Sequence, residues 1–135
     1  MAGTLWNIGI KVQDLDQEIC FLEKLGARLL LREILSGPDG ASEYAFLEFG
    51  GTRLFLTRQP IFETKLSFQL QPGLTHAVFE VNDLDSEYER ITALGMEVLI
   101  EPVEISAGFG SRRIAFSRSP NGFIFEMMQI LEAKI

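Results

Sequence analysis

Few side chains in this sequence can carry chemistry, and their scarcity is informative. His76 is the only histidine and Cys20 the only cysteine. One cysteine excludes an internal disulfide framework and a cysteine-rich zinc site. A catalytic zinc takes three protein ligands and keeps one position open. Non-haem iron in oxygenases takes two histidines and a carboxylate, which one chain with one histidine does not supply. Glu126 lies among Phe123, Phe125, Met127 and Met128. A carboxyl group in such apolar surroundings has a raised pKa and can serve as a general acid or base, which makes Glu126 the candidate catalytic residue. Arg112 and Arg113 follow a glycine-containing loop and could recognise a carboxylate. The plain alternative for His76 is a half-buried strand histidine bonded to a neighbour.

The elements that must position these residues come from one unit used twice. Asn7 to Leu30 aligns without gaps on His76 to Leu99, and eight of the 24 positions are identical. One or two matches would be expected by chance at average residue usage. Each copy begins with a short apolar run, Leu5 to Val12 or Leu74 to Val81, of strand length. Asp14 or Asp83 then precedes a helical pattern, at the spacing of an N-cap. The helices run to Leu25 and Leu94, and Gly26 and Gly95 stand where a left-handed residue ends a helix. The remaining strands expected are Arg28 to Ile34, Tyr44 to Phe49 and Arg53 to Thr57. Their counterparts are Glu97 to Ile100, Arg113 to Phe116 and Phe123 to Met128. Gly50-Gly51 and Pro120-Asn121-Gly122 read as turns. Ser36 to Ala41 reads as a loop and Ser106 to Ser111 as a flexible segment. The expected organisation is one domain over 1–135, with a first module over about 4–59, a linker over about 60–73 and a second module over about 74–131.

Strand alternation gives the faces. With Asn7 on one face, Gly9 and Lys11 join it, while Ile8, Ile10 and Val12 meet the helix. With His76 on that face, Val78 and Glu80 join it, while Ala77, Phe79 and Val81 meet the helix. Lys11 and Glu80 occupy equivalent places in the two copies. They either pair with one another, meet a ligand, or lie in water at strand ends. Trp6 and Phe109 read as contacts at the rim.

Three segments carry a family resemblance. They are Asn7-Ile8-Gly9-Ile10-Lys11-Val12 followed by Asp14-Leu15-Asp16, then Thr75-His76-Ala77-Val78-Phe79-Glu80-Val81, then Ser119-Pro120-Asn121-Gly122-Phe123-Ile124-Phe125-Glu126. In this order, on a duplicated unit, the chain resembles the vicinal oxygen chelate superfamily of glyoxalases, bleomycin-resistance proteins and extradiol dioxygenases. The resemblance implies an α+β fold of two tandem βαβββ modules whose sheets form a cup, with helices outside. It implies four ligand positions in the cup, which fall on Asn7, Leu56, His76 and Glu126. It also implies a divalent metal (zinc, nickel, manganese or iron) held by His76 and Glu126. Asn7 offers a weak amide oxygen and Leu56 no donor, so the set looks like half a metal centre and equally admits none. The expected ligand-binding residues are Asn7, Lys11, Leu56, His76, Glu80 and Glu126.

Three functions follow from this reading. One is a metal-free protein holding a small amphipathic molecule in the cup. Another is a metal-assisted lyase, isomerase or dioxygenase using His76 and Glu126. The last is a partner-binding module without chemistry. Asp plus Glu number 19 against 12 Lys plus Arg, a formal charge of -7. That balance argues against a nucleic-acid surface, which needs a cationic footprint. No apolar stretch approaches the roughly 20 residues that cross a bilayer. Residues Met1 to Gly9 show no signal-peptide pattern, so a cytoplasmic location is expected. A homodimer is expected, both from the resemblance and because sheet edges need protection.

Overall fold

The structure is a computed structural model that describes residues 3–37 and 40–135. It contains β1 (Gly3–Lys11), α1 (Leu15–Lys24), β2 (Arg28–Gly37), β3 (Gly40–Phe49), β4 (Thr52–Thr57), β5 (Gly73–Val81), α2 (Leu84–Ala93), β6 (Glu97–Ala107), β7 (Gly110–Arg118) and β8 (Ile124–Ala133), with a 3-10 turn at Glu63–Lys65. Both helices start as the sequence implies. The Asp14 carboxylate accepts the Gln17 amide at 3.0 Å, and the Asp83 carboxylate accepts the Ser86 amide at 3.3 Å. Each such bond satisfies an amide that the first helical turn would otherwise leave without a partner.

The eight strands form one sheet in the order β2-β3-β4-β1-β5-β8-β7-β6. At its centre β1 and β5 run antiparallel, and each pairs in parallel with the last strand of its own copy. The helices cover one face. Leu15, Ile19 and Leu22 of α1 pack with Val12, Ala45, Leu47, Leu54 and Leu56. Leu84 and Ile91 of α2 pack with Val81, Ala115, Phe125 and Met127. The other face is concave and holds a core drawn from both copies, including Trp6, Tyr44, Phe46, Val78, Ile114, Phe116 and Met128. The sheet curls far enough for its two ends to touch. Tyr44 and Phe109 lie ring to ring at 6.1 Å, and Glu33 on edge strand β2 accepts the Gly108 amide at 2.6 Å. Glu33 also accepts the Tyr44 hydroxyl proton.

Several local expectations change. β2 extends to Gly37 and β3 starts at Gly40, so the Ser36–Ala41 segment is mostly strand, and its residues 38–39 lie outside the described residues. Ser106 to Ser111 is a tight hairpin, because β6 runs to Ala107 and β7 resumes at Gly110. At Gly110 a positive φ of 113° and a built Cβ only 1.9 Å from the Glu132 carbonyl oxygen make glycine necessary. Segment 59–72 crosses the cup and inserts Phe62, which is fully buried, into the concave core.

Candidate functional site

The central β1–β5 pair decides which polar residues meet. In register, Gly9 faces His76 and Asn7 faces Val78. The missing side chain at Gly9 gives the imidazole its space, since a Cβ there would lie 2.1 Å from His76 Cε1. The ring is held by Phe62 at 5.0 Å, edge to face, and by Phe116 at 5.5 Å. His76 Nδ1 hydrogen-bonds the Thr75 hydroxyl at 2.9 Å, and Nε2 lies 3.8 Å from Glu126 Oε1. Glu126 enters from β8, beside Val78 in the parallel register.

Burial sets the protonation of both groups. It lowers His76 to about 4, so the imidazole is neutral at neutral pH. Burial raises Glu126 to about 8, partly offset by the positive charge of Arg112. The 3.8 Å approach is therefore a contact between a neutral imidazole and a mostly protonated carboxyl group, not an ion pair. The groups around Glu126 come mainly from other strands, Phe116 across the β7–β8 ladder, Val78 on β5 and His76. Of the chain neighbours that suggested a raised pKa, Phe125 and Met127 face α2, Phe123 is exposed, and only Met128 shares the concave side.

These shifts make stability depend on pH. Glu126 releases its proton near 4.5 when unfolded, so its stabilising contribution is full below pH 4.5 and is lost as pH rises towards 8. His76 acts oppositely: its contribution is full above pH 6.5 and is lost as pH falls towards 4. Between pH 6.5 and 8 only Glu126 of the two changes, at about 1.4 kcal/mol per pH unit. Urea denaturation should show unfolding free energy falling by about 2 kcal/mol over that interval. Glu126→Gln should flatten the profile there. A variant with the wild-type slope would contradict the assignment.

The other expected site residues divide. Asn7 is buried on the concave side, beside Gly9 in the strand alternation. Among the described residues its amide donates only to the neighbouring Ile8 carbonyl, at 3.4 Å. Leu56 is a correction. It is fully buried against α1 on the opposite face. The register explains why. Phe46 faces Phe55 across β3–β4, whereas the equivalent Phe116 faces Glu126 across β7–β8. The second connection is one residue longer, so the counterpart of Glu126 is Phe55, not Leu56. With side-chain period two, that single residue changes the face.

Of the three alternatives for Lys11 and Glu80, pairing with one another does not occur, and Lys11 does not lie in water either. Lys11 lies opposite Gly73 and Glu80 opposite Thr4, at the two ends of the antiparallel ladder. Lys11 is buried and its ammonium bonds Glu63 at 2.6 Å and the Leu70 carbonyl at 2.9 Å. The Leu70 amide donates to the same Glu63 carboxylate at 2.9 Å. This latch ties segment 59–72 to β1 beside a groove of about 660 Å³. Glu80 is half-buried, and its charge acts on Arg112.

Two residues placed at the rim prove central. A register shift between Leu5 and Asn7 turns Trp6 into the concave core with Asn7, although alternation with Ile8 would put it under α1. Phe109 is buried there too. Arg112 is 4% exposed, and its guanidinium lies 4.3 Å from the Trp6 ring, 4.4 Å from Phe109 and 5.7 Å from Phe46. Arg53 stacks on Trp6 at 4.0 Å. Arg113 points the other way and binds Asp85 of α2. Alternation along β7 separates the two arginines, but the sequence does not show which one enters the cup.

The donors do not make a three-ligand metal site. Among the described residues no three His, Cys, Asp or Glu side chains cluster. The four positions hold one imidazole, one largely protonated carboxyl group, one amide and one phenyl ring. His76 and Glu126 alone fall short of what a catalytic zinc requires.

A family model, Glyoxalase/Bleomycin resistance protein/Dioxygenase superfamily, matches residues 6–116. A lactoylglutathione lyase of Arabidopsis thaliana is 32% identical over 125 residues, covering 91% of this chain and 43% of that protein. A putative lactoylglutathione lyase of Brassica oleracea is 31% identical over the same extents. The chain therefore spans under half the length of these relatives. A hypothetical protein from Bacillus halodurans superposes with a TM-score of 0.74 at 23% identity, over 98% of this chain and 97% of that one. Methylmalonyl-CoA epimerase from Mycobacterium tuberculosis superposes with a TM-score of 0.70 at 24% identity, over 95% and 88%. These two likenesses show the fold. With the duplicated unit, the curled eight-stranded sheet and the matched segment together, the chain belongs to the glyoxalase/bleomycin-resistance protein/dioxygenase superfamily.

Proposed function

We propose that this protein binds a small organic molecule in its cup without a metal. The reading rests on one observation: the concave face gathers His76, Glu126 and Arg112 among aromatic rings, while the remaining family ligand positions carry Asn7 and Phe55. Such a lining, apolar with a few convergent polar groups, suits an organic ligand with one polar end. Glu126 is the group that can exchange a proton with it, because burial brings its pKa close to neutrality. Entry requires segment 59–72 to move, since Phe62 fills the space against His76.

The acidic balance, 19 Asp plus Glu against 12 Lys plus Arg, favours a protein that does not bind nucleic acid, and a cytoplasmic location is part of the same reading. Exposed Ile34 on β2 and Val103 on β6, both edge strands, favour a homodimer. Light scattering at micromolar concentration should return twice the chain mass, and a monomer would remove that part.

Titration with zinc, nickel, manganese and iron, alongside a thermal-shift screen of small molecules, tests the reading. The expected result is no stoichiometric metal binding and a melting temperature raised by a small-molecule ligand. Micromolar metal binding that His76→Ala and Glu126→Ala both abolish would overturn it in favour of a metal-assisted enzyme.

A further inference from the structure

Resting on the small-molecule reading above, we propose that the ligand carries a carboxylate and that Arg112, bracketed by Trp6, Phe46 and Phe109, is the group that holds it. Arg112 differs from the paired arginines of the molecule. Arg28, Arg32, Arg90, Arg113 and Arg118 each face an acidic side chain within 4 Å. Arg112 is more deeply buried than any of these, yet among the described residues its guanidinium has neither an ion pair nor a hydrogen bond. Its Nε is sealed from solvent with no acceptor. Its contacts are ring faces, at 4.3 Å from Trp6 and 4.4 Å from Phe109. Rings stabilise the cation from above and below but accept nothing from its N–H edge. A buried cation in that state is costly unless something pairs with it.

The geometry selects the partner. A guanidinium presents its donors in a planar fork that matches two coplanar acceptor oxygens, which is the shape of a carboxylate. Trp6 and Phe109 lie closest to the guanidinium, and Phe46 stands roughly perpendicular to both. Glu126 and Glu80 both exert their field on Arg112. A dianion would meet added repulsion from Glu80, so a monoanion is favoured over a phosphate. Access has a structural basis as well. Trp6 and Phe46 are fixed on strands, but Phe109 sits in the two-residue turn between Ala107 and Gly110. That turn is anchored by the Gly108 amide on Glu33 and by the Lys134 amide on the Phe109 carbonyl, so admitting a ligand at the fork requires these bonds to yield.

Trp6 is the only tryptophan and lies against the guanidinium, so its fluorescence reports the site directly. Benzoate and hexanoate should change that emission saturably and raise the melting temperature. Benzamide and hexanamide should bind at least about tenfold more weakly, as should inorganic phosphate, because they lack the charge or the shape of the fork. Arg112→Met keeps the volume and removes the charge. It should raise the melting temperature of the unliganded protein and lose the carboxylate response, whereas a purely structural arginine would lower that temperature on replacement. Arg112→Lys should recover part of the affinity. If amides bind as well as acids, or Arg112→Met still binds benzoate normally, the carboxylate assignment is overturned while the cup reading stands. Preference for phosphate overturns the ligand class alone. If acids and amides alike leave both Trp6 and the melting temperature unchanged, the carboxylate assignment is overturned. If the wider screen is equally silent, the cup reading falls with it.

Discussion

Replacing Lys11 with methionine is expected to destabilise the fold by about 3–5 kcal/mol, the usual cost of removing one partner from a buried ion pair. The pair is among the most enclosed charges in the molecule, with side-chain exposures of 8% for Lys11 and 9% for Glu63 and a separation of 2.6 Å. Without the ammonium, Glu63 is left facing β1 as an uncompensated anion, and the Leu70 carbonyl loses its donor. Glu63→Gln should cost less, because the amide oxygen can still accept from Lys11 and from the Leu70 amide. The double variant Lys11→Met/Glu63→Leu should recover much of the loss, since an apolar pair avoids the desolvation of two charges. Recovery should stop short of wild type because both Leu70 backbone groups lose their partners. Urea denaturation of wild type, Lys11→Met, Glu63→Leu and the double variant gives the coupling energy. Single variants within about 0.5 kcal/mol of wild type, the range of an ordinary surface substitution, would show that the latch is open in solution. The same variants bear on access, since the latch anchors the segment that carries Phe62 over His76. A loosened latch should therefore quicken ligand association.

Gly9→Ala is the second large effect. Its methyl group would lie 2.1 Å from His76 Cε1 and 2.3 Å from Nδ1. The imidazole has little room to yield, being wedged between Phe62 and Phe116. Overpacking of this kind costs about 1–3 kcal/mol and sometimes more. The upper end is expected here, because relief requires the ring to leave Glu126 or the two central strands to part. The cause is testable in a cycle. In a His76→Ala background the same glycine substitution should be nearly neutral, giving a favourable coupling of about 3 kcal/mol. Equal cost in both backgrounds would place the strain in the backbone instead. Gly9 is thus part of the site without offering any functional group.

Much of this architecture is legible in the sequence because it is local. The Asp14 and Asp83 caps, the glycines after each helix and the alternation along Ile8–Val12 and Ala77–Val81 depend on neighbours a few residues apart. The repeat then multiplies their value: two copies of one grammar imply one sheet built twice. Glu126 is legible only in part, since Met128 shares its face but Phe125 and Met127 lie against α2, and the groups that bury it, such as Phe116 and Val78, come from other strands. His76 is legible as a position, through the repeat that sets it opposite Asn7 in the alignment.

What the tertiary structure alone decided involves partners distant in the chain. The replacement of Leu56 by Phe55 turns on one extra residue between β7 and β8, and a sheet converts a single-residue offset into a change of face. Lys11 finds Glu63 rather than Glu80 because antiparallel pairing sends equivalent residues of the two copies to opposite ends of the ladder. The burial of Arg112 depends on the curl that brings β3, β7 and the hairpin at Phe109 together, and on the bulge that turns Trp6 inward. Sequence periodicity records which way a side chain points from its own strand. It does not record which strand curls over to meet it, and that meeting decides which charges are paired and which buried cation is left for a ligand.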